Sequence, residues 1–434
     1  MDFQLPVFTA IPFVLMLGCI AVMPLFAGHF WESNRNKLII ALILGIPTAF
    51  YLVMEGMLEV VEHTILFDYV PFIILLGSLF VITGGIFINA DYKATPRNNT
   101  FILAIGGILA SFMGTTGAAM LLIRLLLNTN KQRTRKVHTV LFFIAIVANC
   151  GGLLTPLGDP PLFMMYLRGA DFFWFFNLLP YWLFVNGAFL IIYFFVDKYH
   201  YSKESAENLQ KDNQEKQPLK ITGKINFLWL LMVILAVAFV NPSTLLFMKE
   251  SPYYGFIRDG IILIALLLSL ITTKKEVRLQ NNFNWGPIKE VAYLFLGIFL
   301  TMMTVLLLLK QNANSIDINT PTQFYYITGL LSSVLDNTPT AVTFHSLAES
   351  MFSHEQGMLI ANIPDIFMKM ICLGAVFFGS MTYIGNGPNF MVKSIAEQEG
   401  IKMPEFFQYI IKFSLIVILP VLILCDLIFF QLFG

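Results

Sequence analysis

Long apolar segments separated by short polar loops run through almost the whole chain. Spanning-length segments cover roughly residues 6–28, 38–54, 70–90, 138–160 and 172–197, and then 225–248, 257–272, 287–309, 365–388 and 404–431. A helix needs about 20 mainly apolar residues to cross the hydrocarbon core of a bilayer. The pattern therefore predicts an all-α polytopic membrane protein.

Each half of the chain also contains a pair of shorter apolar runs, at 100–113 with 117–127 and at 321–335 with 339–350. Basic residues flank the first pair on both sides, at Lys93 and in the segment Lys131 to Lys136. Because Lys and Arg mark cytoplasmic loops, this pair starts and ends on the same face of the membrane. It predicts a re-entrant hairpin with its tip at Gly114 to Gly117. The second pair predicts a hairpin that enters from outside, with its tip at Asp336 to Pro339.

The segment Asn149 to Phe163 interrupts an apolar span with glycines, prolines, Thr155 and Asp159. Proline removes a backbone donor and clashes with the preceding turn, so a helix cannot run straight through this segment. Lipid cannot hydrogen-bond the freed backbone groups, so the break must be buried in protein or line a wet cavity. Broken membrane helices of this kind hold ions and substrates in secondary transporters.

Both motifs recur in the second half of the chain. The segment Gly152-Leu-Leu-Thr-Pro-Leu-Gly-Asp159 corresponds to Gly379-Ser-Met-Thr-Tyr-Ile-Gly-Asn386, and Ser111 to Gly117 corresponds to Ser333 to Pro339. The two separations are nearly equal and about half the chain, which predicts a duplicated fold. Each half would contain about five transmembrane helices, one re-entrant hairpin and one broken helix. Because five is odd, the second repeat is inverted. We assign the first repeat to 1–197, a cytoplasmic linker to 198–224 and the second repeat to 225–434.

Composition agrees with a lipid environment and excludes several classes of function. The chain is 57% hydrophobic and only 12% charged, whereas a soluble domain is about one quarter charged. The formal net charge of zero gives no indication of a nucleic-acid partner. The four cysteines fit neither a metal site nor a disulfide framework. There is no Walker, dinucleotide-binding or HExxH motif, so we expect no cofactor and no ATP-driven transport by this chain alone.

The hairpin tips and broken helices carry the candidate binding chemistry. We expect each tip to approach the broken helix of its own half at mid-membrane. The first half-site comprises Thr115, Thr116, Asn149, Thr155, Gly158 and Asp159. The second comprises Ser333, Asp336, Asn337, Thr338, Thr382, Gly385 and Asn386. Hydroxyl, amide, carbonyl and carboxylate oxygens suit a hard cation such as sodium, while neutral donors and helix N-termini suit an anion.

Asp159 and Asp336 are the acids of the four motifs and the candidate sodium ligands. An acid at the centre of a spanning helix costs ~2.5–3.5 kcal/mol on insertion scales, so an acid without a function is unexpected there. Burial disfavours the charged form of such a carboxylate and a bound cation favours it. One residue can therefore hold a proton and sodium in turn.

At these residues the chain resembles the ion transporter superfamily. Ser333-x-x-Asp-Asn-Thr-Pro339 and Gly152-x-x-Thr-Pro-x-Gly-Asp159 are similar to motifs of NhaD-type sodium/proton antiporters, arsenite permeases and citrate-transporter-like proteins. The resemblance implies two inverted repeats and a transport domain that moves against a scaffold, often in a homodimer. It also implies an integral protein of the bacterial cytoplasmic (inner) membrane whose partners are the lipid bilayer and a small ion or anion.

The resemblance and the two membrane acids favour a secondary active transporter, not an enzyme, that exchanges sodium for protons. The alternative is a cation-coupled carboxylate (citrate-like) or oxyanion (arsenite-like) transporter. It stays open because of two departures from the antiporters. The first hairpin has Gly114-Thr-Thr116 where they usually have an acid, and Pro160-Pro161 follows Gly158-Asp159 of the broken helix where they usually have a hydroxyl residue. An intramembrane aspartyl protease is a remote alternative. The segment Pro156 to Asp159 lacks the first glycine of the Gly-x-Gly-Asp pattern, and the repeat places the two acids in different half-sites.

Overall fold

The computed structural model describes residues 5–214, 217–313, 316–352 and 359–432, and most of these residues are helical. This confirms the all-α prediction. The ends of the predicted repeats at 1–4 and 433–434, and linker residues 215–216, lie outside the described residues.

The described part of the first half, from residue 5 onward, contains ten α-helices and a short β-strand. Its elements are α1 (Ile11–Phe26), α2 (Gly28–Trp31), α3 (Asn34–Met54), α4 (Leu58–His63), α5 (Val70–Thr83), β1 (Phe87–Asp91), α6 (Pro96–Met113), α7 (Thr115–Thr129), α8 (Val137–Ile146), α9 (Pro160–Leu167) and α10 (Leu179–Tyr201). A π-helical turn, Thr64–Tyr69, joins α4 to α5, and a 3₁₀ segment, Cys150–Leu154, follows α8.

The linker and second half continue the series. Their elements are α11 (Ala206–Gln214), β2 (Gln217–Thr222), α12 (Asn226–Phe239), α13 (Gly255–Thr272), α14 (Lys275–Gln280), α15 (Gly286–Asn312), α16 (Pro321–Ser332), α17 (Asn337–Met351), β3 (Leu359–Ile360), β4 (Ile363–Pro364), α18 (Asp365–Phe378), α19 (Gly387–Gln398), α20 (Phe406–Tyr409) and α21 (Leu419–Asp426). A 3₁₀ segment, Gly379–Met381, follows α18, and π-helical segments extend α20 and α21.

Eight helical stretches within the described residues are long and apolar enough to cross a membrane. They are Val7–Pro24, Asn34–Met54, Leu58–Thr83, Val137–Leu154, Phe172–Tyr201, Pro252–Thr272, Gly286–Asn312 and Phe406–Leu432. The predicted spans 225–248 and 365–388 contain α12 and α18, which have 14 residues each. At 1.5 Å per residue such a helix is about 21 Å long, which is shorter than the hydrocarbon core. The number of crossings per half and the inverted repeat stay predictions.

The two predicted hairpins form helix pairs whose turns have different chemistry. Helices α6 and α7 meet at Gly114, where φ is 80°. This left-handed conformation is accessible to glycine without strain. Helices α16 and α17 are joined by a short turn that ends at Asp336, whose carboxylate accepts a hydrogen bond from Thr338 N at 3.0 Å. Asp336 therefore caps the N-terminus of α17.

Small residues allow α3 and α15 to pack closely. A Cβ atom added to Gly45 would lie 2.8 Å from Leu300 Cδ1, and one added to Gly297 would lie 2.8 Å from Ala41 Cβ. Close backbone approach through small residues is the usual way in which membrane helices gain packing contacts. Helix α15 also packs against α17, the second helix of the second hairpin.

The polar linker is folded against the first half, which the sequence did not predict. Strand β2 pairs antiparallel with β1, and Thr222 lies opposite Phe87. In α11, the buried Asp212 accepts a hydrogen bond from Ala94 N at 3.0 Å. Helix α10 also extends beyond residue 197, the predicted end of the first repeat, to Tyr201.

The basic loop 131–136 is held by buried charges at the predicted cytoplasmic face. Arg133 Nη1 lies 2.6 Å from Asp197 Oδ1, and both side chains are buried. Glu204 accepts hydrogen bonds from Arg135 N at 2.8 Å and from the hydroxyl of Thr134 at 2.9 Å. Burial raises the pKa of the Glu204 carboxyl, but the donors from Arg135 and Thr134 outweigh burial and hold its pKa below the usual value.

Candidate functional site

The first broken helix is fastened to the first hairpin by Thr155. Its hydroxyl donates a hydrogen bond to the carbonyl of Ser111, at the end of α6, and accepts one from Leu157 N at 3.1 Å. The carbonyl of Gly158 accepts a further bond from Thr115 N at 2.8 Å. These contacts satisfy backbone groups that a regular helix would have paired internally.

The second broken helix repeats this arrangement with Thr382. Its hydroxyl donates a hydrogen bond to the carbonyl of Ser333 and accepts hydrogen bonds from Ile384 N and Gly385 N at 3.2 and 3.0 Å.

Glycine is required at the corresponding positions of both breaks. A Cβ atom added to Gly158 would lie 1.9 Å from Gly152 O, and one added to Gly385 would lie 2.6 Å from Gly379 O.

Asp159 lies where the two halves of the molecule meet. Its Oδ1 accepts hydrogen bonds from Thr115 Oγ1 at 2.9 Å and Asn386 Nδ2 at 3.2 Å, and its Oδ2 accepts one from Asn337 Nδ2 at 2.9 Å. The side chain is only 1% exposed. One carboxylate therefore joins the first hairpin, the second hairpin and the second broken helix. The two half-sites expected from the sequence form one continuous centre.

Four helices begin at this centre. Helices α7, α9, α17 and α19 have Gly114, Asp159, Asp336 and Asn386 as their N-cap residues. A helix N-terminus carries about half a positive elementary charge. The four termini together supply about two positive charges, which balance two ionised carboxylates.

The four helix starts surround a small cavity. Its volume is about 100 Å³, and its walls include Thr115, Thr116, Gly158, Asp336 and Asn386 from the predicted set. Helices α5 and α15 close the other side through residues such as Leu79, Phe80, Ile288 and Val291. None of the described residues that line it is Lys, Arg or His. Because this part of α15 follows the basic segment at Lys274 and Lys275, the cavity lies toward the predicted cytoplasmic side.

The remaining predicted residues lie behind the cavity wall. Asn337 is oriented by Ser332, whose hydroxyl lies 2.6 Å from Asn337 Oδ1 and 2.7 Å from Ala375 O. The Thr338 hydroxyl is buried and has no hydrogen-bond partner among the described residues. The hydroxyl of Ser333, the residue that follows α16, donates a hydrogen bond to Leu330 O in that helix.

Sequence reasoning missed Asn389, which is fully buried in α19. Its side chain bonds to Asn149 Nδ2 at 2.6 Å and to the carbonyls of Gly379 and Thr382. Comparison of the repeats places Asn389 opposite the apolar Leu162, so the repeat gave no reason to select it. Its position three residues after Asn386, on the same helix face, was the available signal.

A buried ion pair supports α9 from α13. Arg258 Nη2 lies 2.8 Å from Asp259 Oδ1, and both side chains are almost fully buried. The guanidinium lies 5.4 Å from the ring centre of Tyr166 and 5.8 Å from that of Phe163. Such cation–π contacts are attractive, and they hold the helix that begins at Asp159.

Broken helices, paired hairpins and a buried polar centre define this chain as a polytopic membrane protein of the kind that moves small solutes. The chain belongs to the family described as "Putative citrate transport", which it matches over residues 2–430. None of the curated proteins compared with the chain matches it. The family supports the citrate-transporter-like resemblance and the assignment as a secondary transporter. The sodium/proton, arsenite and homodimer expectations stay predictions.

Proposed function

We propose that this protein is a cation-coupled secondary transporter for a citrate-like carboxylate. One observation carries the proposal. The N-termini of four helices line a single cavity, and two of these helices have an aspartate at the N-cap position. Half-helix N-termini bind anionic groups of transported substrates in other broken-helix transporters.

The charge balance of this centre supplies a reason for coupling. With both acids ionised, the helix termini are neutralised and an anion gains little on entering. A proton or sodium at Asp159 or Asp336 cancels part of the negative charge. The helix termini are then available to a substrate carboxylate. Because no cationic side chain lines the cavity in the described part of the chain, the coupling cation is the natural source of positive charge.

Sodium/proton antiport is the second candidate, and the size of the cavity favours it. A cavity of about 100 Å³ has room for an ion and several waters, whereas typical small-molecule sites enclose about 300–1,000 Å³. Under this alternative, protons and sodium compete for the same carboxylates and no organic anion is carried.

Proteoliposomes with labelled citrate outside and a pH-sensitive dye inside distinguish the two candidates. For the carboxylate transporter we expect citrate uptake that requires an inward sodium or proton gradient. For the antiporter we expect proton movement after a sodium pulse in the absence of citrate. A matched control is Asp317→Asn, which changes an exposed acid and should transport like wild type. Folded, reconstituted protein with neither activity would reject both candidates.

A further inference from the structure

A second cavity, of about 530 Å³, lies where α9 ends, away from the centre at which this helix begins. Its walls come from α4, the π-helical turn Thr64–Tyr69, α15, α17 and the end of α9, and it shares no lining residue with the central cavity. Because the central cavity lies toward the predicted cytoplasmic side, this one lies toward the predicted outer face, and we call it the outer cavity. Its volume is within the range of about 300–1,000 Å³ that is typical of small-molecule sites.

A guanidinium group in the outer cavity is held by one of its nitrogen atoms. Arg168, the C-cap residue of α9, lines this cavity. Its Nη1 lies 3.4 Å from His345 Nδ1 and donates to Ser346 Oγ at 3.2 Å. His345 Nε2 lies 2.8 Å from Ala361 O, which only accepts hydrogen bonds, so Nε2 carries the ring proton and Nδ1 accepts from Arg168. Arg168 is therefore fixed in place by neutral groups.

The other edge of this guanidinium has no partner. Arg168 Nε is buried and has no hydrogen bond within the described residues, and Nη2 has none there either. Nε and Nη2 present two parallel N–H donors, the arrangement that binds both oxygens of a carboxylate. A charged donor left buried without an acceptor is costly. The open edge therefore indicates a site for an anionic group.

Three acids also line the outer cavity, and they restrict which anion fits. Glu349 lies 3.9 Å from Lys310, and Glu59 is exposed to solvent. Asp68 is half-buried on the π-helical turn, and its carboxylate makes no hydrogen bond or ion pair within the described residues. An ionised carboxylate only accepts hydrogen bonds, so Asp68 favours a ligand that brings a hydroxyl group.

We propose that the outer cavity is a binding site for a hydroxycarboxylate, in which Arg168 binds a carboxylate group and Asp68 accepts a hydrogen bond from the hydroxyl. The chemical class rests on the proposed function. The site is the first one that a substrate meets when it enters from the predicted outer face.

Two helices connect this site to the centre. Helix α9 begins at Asp159 and ends at Arg168, and its eight residues span about 12 Å. Helix α17 begins at Asp336 and contains His345, which holds Arg168. An anion on Arg168 and a cation on Asp159 thus occupy opposite ends of one short helix.

The first test measures citrate binding to the purified full chain in detergent, from the shift in unfolding temperature with citrate concentration. Arg168→Gln removes the charge and should weaken citrate binding about tenfold or more. Arg168→Lys keeps the charge but not the two-donor edge, so it should be intermediate. The control Lys249→Gln removes an exposed cation that does not line the cavity and should bind like wild type. Wild type that binds no citrate, or Arg168→Gln that binds it as tightly as wild type, would overturn the proposal.

The second test concerns the hydroxyl group. Tricarballylate has the three carboxylates of citrate but no hydroxyl. Wild type should bind citrate about tenfold more tightly than tricarballylate, because the hydroxyl donates to a charged acceptor. Asp68→Leu should lose this preference and still bind tricarballylate. Equal binding of the two anions by wild type, or an unchanged preference in Asp68→Leu, would refute the role of Asp68.

Uptake in proteoliposomes separates the outer site from the proposed function. Citrate binding that depends on Arg168, without cation-driven uptake, would reject the proposed function and leave the outer site standing. Cation-driven citrate uptake with an unchanged KM in Arg168→Gln would reject the outer site and leave the proposed function standing.

Discussion

The threonines of the two broken helices provide a direct test of how the breaks are stabilised. Thr→Val keeps the side-chain shape and removes the hydroxyl. In Thr155→Val, the carbonyl of Ser111 and the N–H of Leu157 lose their partner. In Thr382→Val, the carbonyl of Ser333 and two N–H groups lose theirs.

The cost follows from the number of backbone groups left without a hydrogen bond, because Thr155 and Thr382 are both buried. A buried polar group without a partner costs about 1–3 kcal/mol. Thr155→Val should therefore cost roughly 2–6 kcal/mol, and Thr382→Val at least as much. Thr301→Val is the control, because the Thr301 hydroxyl donates to Gly297 O, which the helix already pairs. We expect it to cost less than about 1 kcal/mol.

The assay is thermal unfolding in detergent followed with a thiol-reactive fluorogenic dye. Cys150, Cys372 and Cys425 are buried and become reactive when the protein unfolds. Both break variants should unfold well below wild type, while Thr155→Ser, which keeps the hydroxyl, should stay close to it. If the break variants unfold at the temperature of Thr301→Val, the threonines do not hold the breaks and the hydrogen-bond argument is wrong.

Three further predictions concern charge and topology. Asp159→Asn and Asp336→Asn should each give a folded protein that lacks cation-dependent transport in proteoliposomes, because an amide neither exchanges a proton nor attracts a cation by charge. Full activity of either variant would remove that residue from coupling. A cysteine at the exposed position Asn213, in the predicted cytoplasmic linker, should react with an impermeant maleimide only from the cytoplasmic side. One at the exposed Glu59 should react only from outside, because residues 55–68 contain acids but no Lys or Arg; the reverse labelling would refute this orientation. Glu204 has a lowered pKa, so its stabilisation is present above the unfolded value near 4.3 and is lost as pH falls through the folded pKa. Unfolding temperature against pH should show this loss in wild type and a weaker one in Glu204→Gln.

The family also changes the balance between the two transport hypotheses. The sequence favoured sodium/proton antiport because of its two membrane acids, whereas the family is described by citrate transport. The geometry accommodates both, since the acids are N-caps of the helices whose termini suit an anion. Measured substrate dependence, rather than the presence of acids, is what separates the two.

The amino-acid sequence by itself determined the class of protein, the hairpin tips and the places where helices break. These features depend on local properties: the length of an apolar run, the missing N–H of proline, and the freedom of glycine at Gly114. Each acts within a few residues, so one segment is enough to predict it.

Only the tertiary structure decided how these parts combine. The bond from Asn337 to Asp159 joins residues 178 positions apart, and the one from Asn149 to Asn389 spans 240. Such contacts depend on how the two halves pack. The repeat in the sequence relates each motif to its copy and does not show which motifs touch, so it predicted two separate half-sites. Asn389 has no polar counterpart in the first half. Strand β2 pairs with β1, although most of the first half lies between the two strands in the sequence. Hydrogen-bond partners that distant are selected by packing geometry, which no local pattern of residues specifies.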